Sequence, residues 1–261
     1  MKKLLAFVLA LLMLTATAAF AETEPDMLAR IQERGTLIIG TEGTWSPWTY
    51  HDETDESLTG FDIEIGKLIC AGLGVEPDFR EAAWGDLLNG VGGRFDILCN
   101  GVGYTEERAK SYSFSIPYAY TPVVLVVRSD NEDITSLEDL NGKKTSNSPS
   151  STFAAFAEAN GAEVIYADSL GETIQEVILG RADATINAEA SINDYLTEHP
   201  DAPLKVVCYL PGEPVAYPMP LGEDSASLVA AVNDIITAAQ EDGTLAELSI
   251  KYFGKDMTKP E

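Results

Sequence analysis

Two eight-residue stretches of the sequence follow one pattern. GRFDILCN at 93–100 and GRADATIN at 180–187 share Gly-Arg-x-Asp, then an apolar strand-like run, then Asn. A helix-like apolar segment precedes each, GDLLNGV in the first case and ETIQEVIL in the second. Chance similarity over so few residues is the competing reading, and the matching flanks favour a duplicated architecture. A helix leading into an apolar strand buries its faces only by packing against more of the same, so the repeat demands a sheet covered by helices. Two similar α/β lobes with a cleft between them result. In such sheets ligands sit beyond the carboxyl ends of the strands. Both stretches end there in an amide, Asn100 and Asn187.

The rest of the chain fits this frame. DMLARIQERG reads as a short helix stopped by Gly35, and TLIIGTEG as a buried strand. WSPWTYHDETDESLTG is a loop with an acidic turn, and the helix after it has apolar positions at Ile63, Ile65, Leu68 and Ile69. VEPDFREAAW gives a strand, GDLLNGVGG a helix and RFDILCNG a third strand, an alternation that implies a parallel sheet. A second unit starts with the strand TPVVLVVRS. It continues through the polar TSNSPSST, the helix FAAFAEAN, the strand EVIYAD, the helix SLGETIQEVILG, the strand RADATINA, the helix SINDYLTEHP and the strand LKVVCYL. Two helices joined at Gly243 close the chain.

The first 21 residues carry two lysines, an apolar run and the small-residue end Ala19-Phe20-Ala21. That is a secretory signal with cleavage expected after Ala21. Its apolar run is short for a membrane anchor. No cysteine lies near the cleavage site, so a lipid anchor is not expected, and no span after Phe253 points to a membrane receptor. About 240 residues remain, enough for two modest domains. Cleavage removes Lys2 and Lys3 and leaves 15 basic residues against 42 acidic, a net charge of −27. Such a chain repels nucleic acid and anionic lipid. With 45% hydrophobic residues it can bury a core, so the charge does not signal disorder. Cys70, Cys99 and Cys208 are an odd number in an exported chain, which leaves at least one free thiol. All three lie in apolar runs and read as buried, unreactive thiols; a Cys70–Cys99 bridge is not deducible.

Most site classes are excluded by what is missing. His51 lies in the acidic turn HDETDES and His199 precedes Pro200; neither is near a plausible nucleophile, and no G-x-S-x-G elbow exists. HDETDES lacks the order and central glycine of a calcium loop, so no metal is expected. GVG at 101–103 begins like a dinucleotide fingerprint, but position 106 is Glu, and no cofactor is expected. Anion binding at helix starts remains. NGVGYTEER at 100–108 places Gly101 and Gly103, where backbone can approach a guest, before a helix that opens at Thr105. Arg108 then falls in the first turn, where the helix dipole is already positive. A guest carboxylate that the guanidinium grips with both arms reconciles the two. SNSPSST at 146–152 precedes FAAFAEA, and a cap by Ser151 or Thr152 leaves free N–H groups aimed at an anion. Either segment alone is an ordinary capped helix; facing each other, they clamp one carboxylate. Trp45, Trp48 and Trp84 follow strands on the same rim and suit a pocket wall. Glu42 and Glu189, also at strand ends, are placed to meet an ammonium group.

These residues carry a resemblance. GTLIIGTEGTWSPWTY, LTGFDIEIGKLIC, GRFDILCNGVGYTEERAKSYSFSIPYAY and DGTLAELSIKYFG resemble the first strand and pocket loop, the helix entry, the T-x-x-R…FS-x-PY signature and the terminal helix of the polar amino-acid-binding proteins of ABC importers. That family includes periplasmic histidine-, glutamine- and cystine-binding proteins, and the likeness spans essentially the whole mature chain. It implies a two-lobed clamshell of type II with two parallel-rich sheets. Lobe one would hold 22–120 and 216–261, lobe two 121–215, with hinge segments near 118–122 and 214–218. It implies that Arg108 grips the α-carboxylate with help from Ser151 and Thr152. Trp45 would cover the ligand and Glu42 would read its side chain.

The sequence also departs from the family pattern. Strand-end serines are replaced by Asn100, Gly101 and Gly103, so backbone N–H groups and the Asn100 amide would serve instead. The acid for the α-ammonium falls at Ala188, leaving Glu189 or the Asn187 carbonyl oxygen as substitutes. The expected function is extracytoplasmic capture of a free amino acid by a monomer that delivers it to a membrane permease. Cystine, a polar amino acid and an aromatic one all fit. The alternative is an exported dehydratase-like enzyme on the same fold, acting on a small carboxylic acid with Glu189 as its acid–base group.

Overall fold

The computed structural model describes residues 24–260, so the export segment expected at 1–21 lies outside the described residues. Helix α1 (Met27–Arg34) starts at Asp26, whose carboxylate accepts the Ala29 N–H at 2.9 Å, and stops at Gly35 in the left-handed region. Strand β1 (Thr36–Thr41) follows. The acidic loop then folds into a small antiparallel meander, β2 (Thr44–Trp45), β3 (Thr49–His51) and β4 (Leu58–Thr59). Its strands are too short for the alternation of a strand to register in sequence. Helix α2 (Phe61–Leu73), β5 (Glu76–Glu81), α3 (Trp84–Gly90) and β6 (Ile97–Leu98) complete a first sheet. Its order is β5-β1-β6 and every pairing is parallel.

The chain continues through β7 (Tyr112–Phe114) into the long β8 (Ala119–Arg128). A second sheet is then built from β9 (Lys144–Asn147), α4 (Thr152–Ala159), β10 (Glu163–Tyr166), α5 (Leu170–Ile178), β11 (Ala184–Ala188), α6 (Glu189–Glu198) and β12 (Leu204–Val215). Its order is β10-β9-β11-β8-β12. Only the β10-β9-β11 half is parallel; β8 runs antiparallel to both β11 and β12. The sheet is therefore mixed rather than parallel-rich, because β8 enters and β12 leaves at the same end. Strand β13 (Pro218–Pro220) pairs with β7, and α7 (Ala226–Glu241) and α8 (Thr244–Phe253) return to pack with α2.

Both faces of the second sheet are covered. Val123, Leu125 and Val127 of β8 pack on one side with Ala157 and Ile186, and Val124 and Val126 on the other with Ile174, Val177 and Ile192. That two-residue alternation with both faces apolar is why TPVVLVVRS reads as an unbroken hydrophobic run. Strand β9 is the opposite case. Its Thr145, Ser146 and Asn147 are buried at the sheet's centre, so polarity disguises a core strand.

The sequence echo has a structural counterpart. The Asp96 backbone N–H donates to Ile38 O at 2.8 Å and its carboxylate accepts the Ile38 N–H at 2.8 Å. Asp183 makes the same pair of bonds to Lys144, at 2.7 and 2.8 Å. In each half the aspartate clamps the start of a neighbouring strand, fixing the register in which the following Asn reaches the cleft. All three cysteines are free. Cys70 and Cys99 are buried and burial raises their thiol pKa values, that of Cys70 to about 12. Cys208, expected in the core, is only half-buried because β12 is an edge strand.

Candidate functional site

The carboxyl ends of β1, β6, β9 and β11 converge on one cleft of about 520 Å³, its solvent-open part included. Ten residues singled out from the sequence line it: Glu42, Trp45, Trp84, Asn100, Gly101, Gly103, Arg108, Ser151, Thr152 and Asn187. The two walls touch. Trp45 Nε1 donates to Asn187 Oδ1 at 3.2 Å, and Arg108 Nη2 donates to Ser150 O at 2.9 Å.

Arg108 is held from several sides. Nη1 donates to Gly103 O at 2.8 Å, and the guanidinium carbon lies 5.4 Å from the centre of the Trp84 ring. Two of its five N–H donors are thus occupied by carbonyls. Among the described residues no carboxylate lies within 4 Å of it. Burial pulls its pKa below the usual arginine value, with Glu213 opposing, and charged groups in such surroundings are normally paired. The expected helix at Thr105 is a single 3₁₀ turn, Arg108–Lys110, whose start is fixed by Thr105 Oγ1 accepting the Arg108 N–H at 3.1 Å. A turn so short has little dipole, so the guanidinium itself supplies the positive charge. The fuller dipole comes from α4 across the cleft. Ser151 caps it, accepting the Ala154 N–H at 3.0 Å and donating to Ser148 O at 2.7 Å. The first-turn N–H groups of Thr152 and Phe153, both at the cavity wall, have no partner within the helix.

Several expected roles change. The Gly101 N–H does not face a guest; it donates to the buried carboxylate of Asp62. Gly101 is needed because its φ is +55° and a Cβ would collide with the Trp45 ring. The Asn100 amide is engaged with Glu42: Nδ2 donates to Glu42 Oε2 at 2.7 Å, and Oδ1 accepts the Glu42 N–H at 2.7 Å. Burial raises the Glu42 pKa to about 7 against this hydrogen bond. Thr152 Oγ1 donates to Glu213 Oε2 at 2.9 Å. Trp48 is fully buried and does not line the cleft; it stacks behind Trp45 at 5.4 Å and meets Phe61 and Phe253. Glu189 also lies off the cavity wall. As the first residue of α6 it pairs with Lys255 at 2.7 Å. Asn187 gives its Oδ1 to Trp45 and to the Ala188 N–H.

Five lining residues escaped the sequence reading: Thr121, Ser148, Phe153, Leu170 and Glu213. Glu213 matters most, as the second carboxylate in the cavity. It lies in PGEP, where the strand LKVVCYL is expected to have ended. In the structure β12 continues through that proline-flanked stretch, with a register shift between Leu210 and Glu213. Such an irregularity re-aims side chains. A lone acid beside an expected hinge was the available signal.

Comparison with known proteins fits this geometry. The sequence model of bacterial extracellular solute-binding proteins, family 3, matches residues 37–255. The chain belongs to this family. Within this solute-binding family it is similar to a probable amino-acid ABC transporter-binding protein of Haemophilus influenzae, 38% identical over 99% of this chain and 100% of that one. Among solved structures it is similar to an ancestral arginine-binding protein bound to arginine, with 34% identity, a TM-score of 0.78, and coverage of 85% of this chain and 99% of that chain. It is also similar to the L-cystine solute receptor of Neisseria gonorrhoeae in its unliganded open conformation, with 36% identity, a TM-score of 0.57, and coverage of 88% and 98%. At similar identity the liganded solute-binding protein superposes better than the open one, in keeping with walls that already touch. The fold is the two-lobed α/β clamshell.

Proposed function

We propose that this solute-binding protein captures a free amino acid between its lobes and delivers it to the permease of an ABC importer. The observation that carries the reading is Arg108, a largely desolvated guanidinium with donors to spare and, among the described residues, no carboxylate within 4 Å, with the open N-terminus of α4 beside it. A carboxylate seated there satisfies both. Trp45, Trp84 and Phe153 supply apolar walls for the rest of the ligand. Glu42 and Glu213 each favour a cationic group, so amino acids with two such groups, cystine and arginine, fit the charge pattern best. Closure follows from ligand contacts available only when both walls meet.

The division of the chain is part of the proposal. Lobe one comprises 22–120 and 216–261 and lobe two 121–215. The five strands of the second sheet all fall within 119–215, and β8 and β12 carry the crossovers. The segment 1–21 directs export, and the protein acts as a monomer outside the cytoplasm. The net charge disfavours nucleic acid as a partner. The reading is binding rather than catalysis: Glu189, the acid that the enzymatic alternative assigned, is ion-paired away from the cavity.

The test is calorimetric titration with a panel of amino acids and cystine, chosen by thermal shift. A ligand stabilises the native state by mass action. Arg108→Ala should then weaken binding by about 3 kcal/mol or more, the cost of removing one partner of a buried charge pair. Wild-type affinity in that variant would refute the site.

A further inference from the structure

We propose that Glu213 holds the α-ammonium group of the ligand and so selects amino acids over other carboxylates. The inference rests on the amino-acid-binding reading above. It starts from a corner of the cavity. A Cβ on Gly103 would lie 3.2 Å from Glu213 Oε2, 3.5 Å from Thr152 Cγ2 and 3.7 Å from Arg108 Nη1. A carboxylate and a guanidinium therefore flank the same small space, which is open because residue 103 has no side chain. The two lie more than 4 Å apart and form no ion pair. An amino acid carries its carboxylate and ammonium on one carbon, so both charges fit a site whose two counter-charges sit in one corner.

The position of Glu213 is built rather than incidental. The register shift in β12 after Leu210 turns its side chain toward the cleft. The Tyr104 N–H donates to Pro214 O at 2.8 Å and Gly103 bridges Val215, so the backbone on either side of Gly103 is pinned to the segment following Glu213. Thr152 Oγ1 occupies one lone pair of Oε2 at 2.9 Å and orients the carboxylate, leaving its other acceptor sites for a donor in the cavity. Residues at the end of β11 and the start of α6 offer no rival. Ala188 is fully buried and has no polar side-chain atom. Asn187 Oδ1 already accepts two hydrogen bonds, and Glu189 is paired with Lys255. The remaining lining carboxylate, Glu42, is bonded to Asn100 at the end of β1 and is left for a second cationic group.

The experiment compares ligands with and without the amine, on wild type and Glu213→Gln. Glutamine keeps the shape and an acceptor for Thr152. The probes are L-cystine with dithiodipropionate, and L-arginine with guanidinopentanoate, each second compound being the first without its α-amines. Calorimetry should show Glu213→Gln losing roughly hundredfold in affinity for the amino acid that the wild type binds. It should lose little for the amine-free partner. In wild type, removing the amine should cost a similar factor, and the two losses should not add. Equal loss for both ligands would overturn the proposal and leave Glu213 as a wall residue held by Thr152; unchanged affinity would also overturn it. Wild type that binds the amino acid while the variant also does separates this failure from that of the function. Wild type that binds no amino acid of the panel overturns both.

Discussion

At the scale of single residues, identity was legible more often than role. Trp45 and Glu42 line the cavity as their places at the end of a strand imply, and Arg108 as its place in a first helical turn implies. Gly101 and Asn100 line it too, but their polar groups point inward, to Asp62 and Glu42. A sequence marks which residues reach a site; it does not say whether a given N–H faces the guest or the core, because that depends on where a partner from another element lies. Gly101 gives a sharp prediction. With φ at +55° and the Trp45 ring against it, Gly101→Ala should cost about 2–4 kcal/mol from left-handed strain and overpacking together. Urea unfolding should show a lower midpoint with unchanged slope; an unchanged midpoint would mean the loop can reshape.

Among elements, the α-helices were read well because their caps and apolar spacing are local; the helix expected at Thr105, a single 3₁₀ turn, is the exception. Asp26, Ser151 and Ser169 cap α1, α4 and α5. The strands were read less evenly. β9 was hidden by its buried polar residues, and β12 by a Pro-Gly pair that looks like a terminator but sits on an edge, where proline is tolerated. That extension is what delivers Glu213. The cap at Ser151 also separates two roles for its hydroxyl. As a cap, Ser151→Ala should cost about 1 kcal/mol of stability, with a modest loss of ligand affinity as the α4 N-terminus frays. Loss of binding without loss of stability, by parallel urea titration and calorimetry, would instead mean direct contact with the ligand.

For the whole molecule, electrostatics at the junction of the lobes sets a pH dependence. Asp62 is fully buried beneath the cleft. It accepts from Gly101 in the binding loop and from Tyr118 Oη at 2.7 Å, and Tyr118 stacks on Tyr217 at 4.1 Å. One carboxyl thus joins the Gly101 loop to the segments that lead into β8 and out of β12. Burial raises its pKa from 3.8 to about 7, as it does for Glu42 from 4.5. A carboxyl whose folded pKa is raised binds protons more tightly when folded, so stability falls as pH rises from the unfolded value through the folded one. The unliganded protein should therefore melt at a lower temperature at about pH 8 than at about pH 5.5, and Asp62→Asn should flatten that slope. A variant with the wild-type slope would remove Asp62 as a source. By itself the sequence determined the α/β alternation, the duplicated helix–turn–strand unit and the Ser151 cap that opens α4, because propensity, capping and apolar period act over a few neighbouring residues. Only the tertiary structure decided that Glu189 turns away to Lys255, that Asn100 serves Glu42, and that Glu213 enters the cavity. Each depends on partners 58 to 66 residues away, as for Asn100 and Glu189, or on a bulge in a strand edge, and nothing local in the chain encodes where those partners come to rest.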